Sequence, residues 1–128
     1  MKKMMMMMPQ QLPGKRMEML RRIASADFYA IERKLLRQAA AFLSEIDPYL
    51  INQLLPSDIF PSLFGTIHLD WQSGNKLLSI ELLDTHLTYY LEVDNKAQLF
   101  EKVASITAFI PVSAQLSSLL YYQQMQES

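Results

Sequence analysis

Between residues 65 and 93 apolar and polar side chains alternate along three short runs: Gly65 to Trp71, Leu77 to Leu83 and His86 to Val93. Turn-forming residues separate them at Ser73-Gly74-Asn75 and Asp84-Thr85. A period of two is the signature of a strand buried on one face only. Short turns favour antiparallel neighbours, so the stretch predicts a three-stranded antiparallel meander. Ile67, Leu69, Trp71, Ile80, Leu82, Leu87, Tyr89 and Leu91 should point inward. His68, Asp70, Ser79, Glu81, Thr88, Tyr90 and Glu92 should share the other face.

Upstream the period changes. Leu20, Ala24, Phe28, Ile31, Leu35, Ala39, Phe42 and Ile46 recur at steps of three and four, which draws one apolar stripe along a helix from about Lys15 to Ile46. No Gly or Pro interrupts it, and Ala39-Ala40-Ala41 favours helix strongly. Asp47-Pro48 suits an N-cap followed by a first turn, and it predicts a short second helix through Leu55. A helix of about 30 residues would span roughly 45 Å, whereas seven-residue strands span roughly 23 Å. Part of such a helix would have to find cover elsewhere, on a second copy of the chain or on another protein.

Downstream of Asp94-Asn95, Leu99, Phe100, Val103, Ile106 and Ile110 again suggest helical spacing. The β-branched run from Ile106 to Ile110 would also fit a fourth strand; helix is the preferred reading. Pro111 should interrupt it, and Ser113 should cap a last helix bearing Leu116, Leu119 and Leu120. The expected architecture is one α+β domain over 15–125: a long N-terminal helix, a short second helix, a three-stranded antiparallel meander and one or two C-terminal helices. Residues 1–14, rich in Met and punctuated by Pro, are expected to be a disordered leader.

Composition narrows the classes. The chain has 128 residues, half of them apolar, and no cysteine. That suffices for one core and excludes disulfides and thiolate metal sites. No run approaches the ~20 apolar residues of a membrane span, and the apolar run after Lys2-Lys3 is too short for a signal peptide. The expectation is a soluble, cytoplasmic protein without membrane contact. The net charge of −1 hides a polarity: residues 1–40 hold nine basic and three acidic groups, residues 41–128 three basic and ten acidic ones. Such asymmetry bears on partners rather than on fold.

Three chemistries compete for these residues. His68, Asp70, Glu81 and Glu92 could form a carboxylate–imidazole cluster for a divalent metal or for acid–base work. A solvated face of a one-sided sheet explains them more simply, and no nucleophile elbow or phosphate-cradling loop accompanies them. The expectation is a non-enzyme without cofactor or metal. Arg21, Arg22, Arg33, Lys34 and Arg37 could neutralise nucleic-acid phosphates, although Glu18, Asp27 and Glu32 interrupt the run. Asp70, Glu81, Glu92, His68 and Tyr90 could form an acidic, partly aromatic protein-binding face, Tyr being favoured at interface anchors.

The run Phe60-Pro61-Ser62-Leu63-Phe64-Gly65-Thr66-Ile67-His68-Leu69-Asp70-Trp71, with Leu78-Ser79-Ile80-Glu81 and Tyr89-Tyr90 after it, resembles a pattern in small uncharacterised bacterial proteins. The resemblance covers about a third of the chain. It implies a helix leading into a small sheet, in genes often paired with a second short gene in toxin–antitoxin-like arrangements, and it carries no catalytic residues over. The expected function is therefore a non-catalytic protein-interaction module, binding through the first helix and the acidic sheet face. An antitoxin-like neutraliser of a partner encoded by an adjacent gene is its concrete form, with homo-oligomerisation through the first helix as a further expectation. A nucleic-acid binder using the basic helix is the alternative.

Overall fold

The computed structural model describes residues 14–122. The leader expected over 1–14 therefore lies outside the described residues apart from Gly14, which is helical. Residues 14–23 form α1, followed by α2 (Arg33–Glu45) and α3 (Pro48–Gln53). Five strands come next: β1 (Ile59–Pro61), β2 (Ile67–Ser73), β3 (Lys76–Leu82), β4 (Leu87–Val93) and β5 (Lys96–Val103). α4 (Ile106–Ser117) follows and runs into a π-helical turn over Ser118–Tyr122. The class is α+β, as the sequence indicates. The sheet, however, has five antiparallel strands in simple meander order β1-β2-β3-β4-β5, not three.

The three central strands follow the alternation. Inward residues from Ile67 to Leu91 are buried, and their neighbours are partly exposed. Two-residue turns set the register. Gly74 takes the left-handed region at φ 61° in the β2–β3 turn, and Asp94 and Asn95 do so at φ 54° and 65° in the β4–β5 turn. The second pattern is the I′ hairpin geometry, which Asp and Asn tolerate better than most side chains. It sends the chain straight back along β4, with Leu91 opposite Leu99 and Leu87 opposite Val103. Residues 96–103 are therefore a strand, where helical spacing led us to expect helix. The new helix begins at Ser105, whose hydroxyl accepts from the Ala108 N–H at 3.1 Å. It continues through Pro111, which forfeits one backbone hydrogen bond without ending it. Ser113 is no cap but a buried link: its hydroxyl donates to the Ile110 carbonyl at 2.6 Å and accepts from the Asp47 N–H at 3.1 Å.

The single long helix is also corrected. The chain leaves helix after Ile23, Ser25 is extended (φ −77°, ψ 169°), and Ala26–Phe28 make a 3-10 turn. Arg22 supplies the compensating contacts. Its Nε donates to the carbonyls of Pro56 and Ile59, both at 3.0 Å, and its Nη1 meets Asp27 at 2.6 Å. The guanidinium also lies 5.1 Å from the centroid of the buried Phe28 ring, within cation–π range. The stripe residues Phe28, Ile31, Leu35, Ala39, Phe42 and Ile46 are all buried in this chain's own core. The excess helix length that pointed to outside cover does not exist.

The buried helical side chains and the inward strand residues form one cluster on one side of the sheet. Phe109 of α4 stacks on Phe42 of α2 (5.7 Å, 25°) and tilts against Tyr89 of β4 (5.5 Å, 58°). The fully buried Trp71 donates its indole N–H to the Leu50 carbonyl at 2.8 Å, which ties α3 to β2. Arg16 reaches the end of α2, with Nη2 3.2 Å from the Ile46 carbonyl and Nη1 on that of Leu43. Replacing Arg22 by Ala should cost about 1.5–3 kcal/mol, the range for hydrogen bonds to a charged group. The same change at the exposed neighbour Arg21 should stay within about 0.5 kcal/mol. Urea unfolding of both variants measures the difference.

Candidate protein-binding face

Among the described residues no helix covers the second face of the sheet. Register places its side chains in cross-strand rows. One row runs Phe60, His68, Glu81, Thr88, Lys102; the next Asp70, Ser79, Tyr90, Phe100; a third includes Gln72, Leu77 and Glu92. All five expected site residues, His68, Asp70, Glu81, Tyr90 and Glu92, therefore share this face. They do not converge. The carboxylates occupy successive rows about 7 Å apart, two residues of strand rise, and among the described residues no three His, Asp or Glu side chains are grouped to hold a metal ion.

Each carboxylate is oriented by a hydroxyl. Asp70 accepts from the Ser79 hydroxyl at 2.6 Å, Glu81 from Thr66 Oγ1 at 2.7 Å, and Glu92 from the Tyr90 phenol. His68 Nε2 lies 3.4 Å from Glu81, and its ring stacks on Phe60 (5.4 Å, 9°). Asp70 and Glu92 meet no cationic side chain among the described residues. Hydroxyl partners hold an anion in place without cancelling its charge, so these oxygens remain available to a cation from outside.

Three aromatic side chains accompany the acids. Phe60 is 37 % exposed and Phe100 71 % exposed; Tyr90 stands opposite Phe100. His68, Glu81, Thr88, Tyr90 and Phe100 line a shallow depression of about 220 Å³. Phe60, Phe100 and Lys102 were not anticipated at the site. The missing signal is register: each belongs to a strand, β1 or β5, that alternation alone did not reveal.

The basic set divides. Arg22 is engaged internally, Arg21 lies on α1, and Arg33, Lys34 and Arg37 are exposed on α2. The five do not form one surface stripe. His86, near the β3–β4 connection, shares a 2.9 Å hydrogen bond with the Thr85 hydroxyl. Comparison with family models, with curated proteins and with solved structures returns no match for this chain.

The Tyr90–Glu92 contact makes the face sensitive to alkaline pH. The Tyr90 phenol is pushed above its ordinary pKa, first by its hydrogen bond to Glu92, then by desolvation and by the Glu92 charge. A group with a raised folded-state pKa contributes stability below its unfolded value, near pH 10, and loses it as pH rises through the folded value. Phenol titration followed by NMR should show Tyr90 ionising later than a free tyrosine. Glu92→Gln should bring it back toward the ordinary range.

Proposed function

We propose that this protein acts by binding another protein through the uncovered sheet face, without catalysis. One observation carries the reading: Asp70, Glu81 and Glu92 are each oriented by a hydroxyl on a face that also presents Phe60, Tyr90 and Phe100. Oriented anions beside exposed aromatic rings suit a partner with basic and apolar side chains, the rings supplying burial and the charges supplying steering and register. An antitoxin-like neutraliser is the concrete form we favour, its acidic face masking the basic surface of an enzyme that acts on nucleic acid. The partner is then a protein encoded with this one.

The competing reading is nucleic-acid binding by Arg21, Arg33, Lys34 and Arg37, supported by the exposure of the last three along α2. Affinity capture of the tagged full chain from its host, after nuclease treatment, separates the two. A stoichiometric protein companion should persist. The triple variant Asp70→Asn, Glu81→Gln, Glu92→Gln keeps side-chain shape while removing charge. It should reduce capture about tenfold or more, the scale on which complementary charge alters association. Undiminished capture by a folded triple variant would remove the face from the account, and companions that vanish with nuclease would favour nucleic acid.

A further inference from the structure

The connection from β1 to β2 carries the most exposed apolar side chains among the described residues. Leu63 is 101 % and Phe64 91 % exposed, and the two are adjacent. Solvent exposure of this kind at a loop tip is commonly accompanied by a slack backbone; here the backbone is tied. Ser62 organises it: its hydroxyl accepts from the N–H groups of Phe64 at 3.1 Å and Thr66 at 3.2 Å. Its own N–H donates to the Thr66 carbonyl at 2.8 Å, and the Gly65 N–H returns to the Ser62 carbonyl at 3.3 Å.

The hydroxyl chain extends this tie into the sheet. Ser62 Oγ lies 2.7 Å from Thr66 Oγ1, which donates to Glu81 of β3. Because Ser62 Oγ already accepts two N–H groups, its proton is directed to Thr66. Gly65, at φ 81°, supplies the left-handed residue that closes the turn. The result is a short, braced finger ending in a Leu-Phe pair. Ordering such a loop in advance lowers the entropic cost of binding through it.

A receiving site lies at the same end of the sheet. The register puts Ile67 opposite Leu82 and Leu82 opposite Leu87. The β1–β2 finger and the β3–β4 connection are therefore neighbours, two strand spacings or about 10 Å apart. Beside that connection is a cavity of about 240 Å³ whose walls include the apolar Leu83, Leu87, Ala104 and Ile106 together with the polar Gln38, Thr85 and His86. A cavity of about 150 Å³ is large enough for benzene, so this one has room for a phenylalanine ring.

We propose that the finger docks in this cavity on a second copy of the chain, giving a twofold-symmetric dimer. A closed dimer requires a self-complementary patch, in which each copy offers both the projecting and the receiving element. Finger and cavity side by side at one sheet end meet that requirement. A twofold axis perpendicular to the sheet, passing between them, sets each finger against the other copy's cavity. Two Phe rings at about 150–250 Å² each, a like area of cavity wall and the flanking Leu63 side chains together remove on the order of 1,000 Å² from water. That reaches the lower bound for a specific interface. The contact leaves the acidic sheet face free, so it is independent of the partner reading above.

Sedimentation equilibrium of the full chain across the micromolar range tests the dimer. The wild type should self-associate, and the double variant Leu63→Ser, Phe64→Ser should weaken association at least about 30-fold, as loss of an interface anchor does. Geometry is tested separately by mixing Leu63→Cys protein, which keeps the Phe64 ring, with Ala104→Cys protein under mild oxidation. The chain has no cysteine of its own, and both sites are exposed, so each variant should fold. Disulfides demand Cα atoms within about 7 Å; 63–104 cross-links should therefore outpace 63–63 and 104–104 links. A monomeric wild type, an unaffected double variant, or cross-linking without preference for the 63–104 pair would each overturn the proposal.

Discussion

The pleat of β2, β3 and β4 assigns every residue of the central sheet to a dry or a wet side, and the remainder of the molecule is arranged around that assignment. Ile67, Leu69, Trp71, Leu78, Ile80, Leu82, Leu87, Tyr89 and Leu91 are all buried on the dry side. A one-residue slip between any two strands would exchange these for carboxylates and hydroxyls. The helices have one place to go: their apolar faces meet the sheet there, with Phe109 between Phe42 and Tyr89 and Trp71 bonded to the Leu50 carbonyl. Concentrating the helices on one side leaves the opposite side without a covering helix among the described residues. The candidate binding face is thus a consequence of how the core forms.

Charge is distributed by the same logic. Arg16 and Arg22 lie in the basic N-terminal third, yet both direct their guanidinium groups at backbone carbonyls. They stabilise the end of α2 and the break between α1 and α2, and so contribute little to an external basic surface. The acids of the sheet are treated differently. Ser79 and Tyr90 hydroxyls hold Asp70 and Glu92 and leave their charge unneutralised, while Glu81 is held by Thr66 with His68 beside it. Burial of one set and presentation of the other is a better guide to a partner's chemistry than the net charge of −1.

The central sheet and the orientation of all five candidate face residues were legible because alternation over seven residues is a strong, local signal. The edge strands were not. β1 has three residues, too few to show a period, and β5 is exposed on nearly every residue, so its Leu99, Phe100 and Val103 mimic helical spacing. The break after Ile23 was equally hidden, since no Gly or Pro marks it. It depends on Arg22 finding the carbonyls of Pro56 and Ile59, more than thirty residues away, and no local rule carries that distance. Pro111 misled in the opposite sense: packing of Phe109 and Leu116 on either side of it holds one helix through the proline.

The proposed function requires the sheet face opposite the helices to be the surface that meets a partner. The most direct test places a photo-crosslinking side chain at Tyr90, on that face, and in a second protein at Ser44, exposed on α2. Each full-length protein is irradiated in its native host. One discrete protein adduct is expected from position 90, and none of that mass from position 44. Adducts confined to position 44, with position 90 silent in a folded protein, would contradict the proposed function and move the working surface to the helical side.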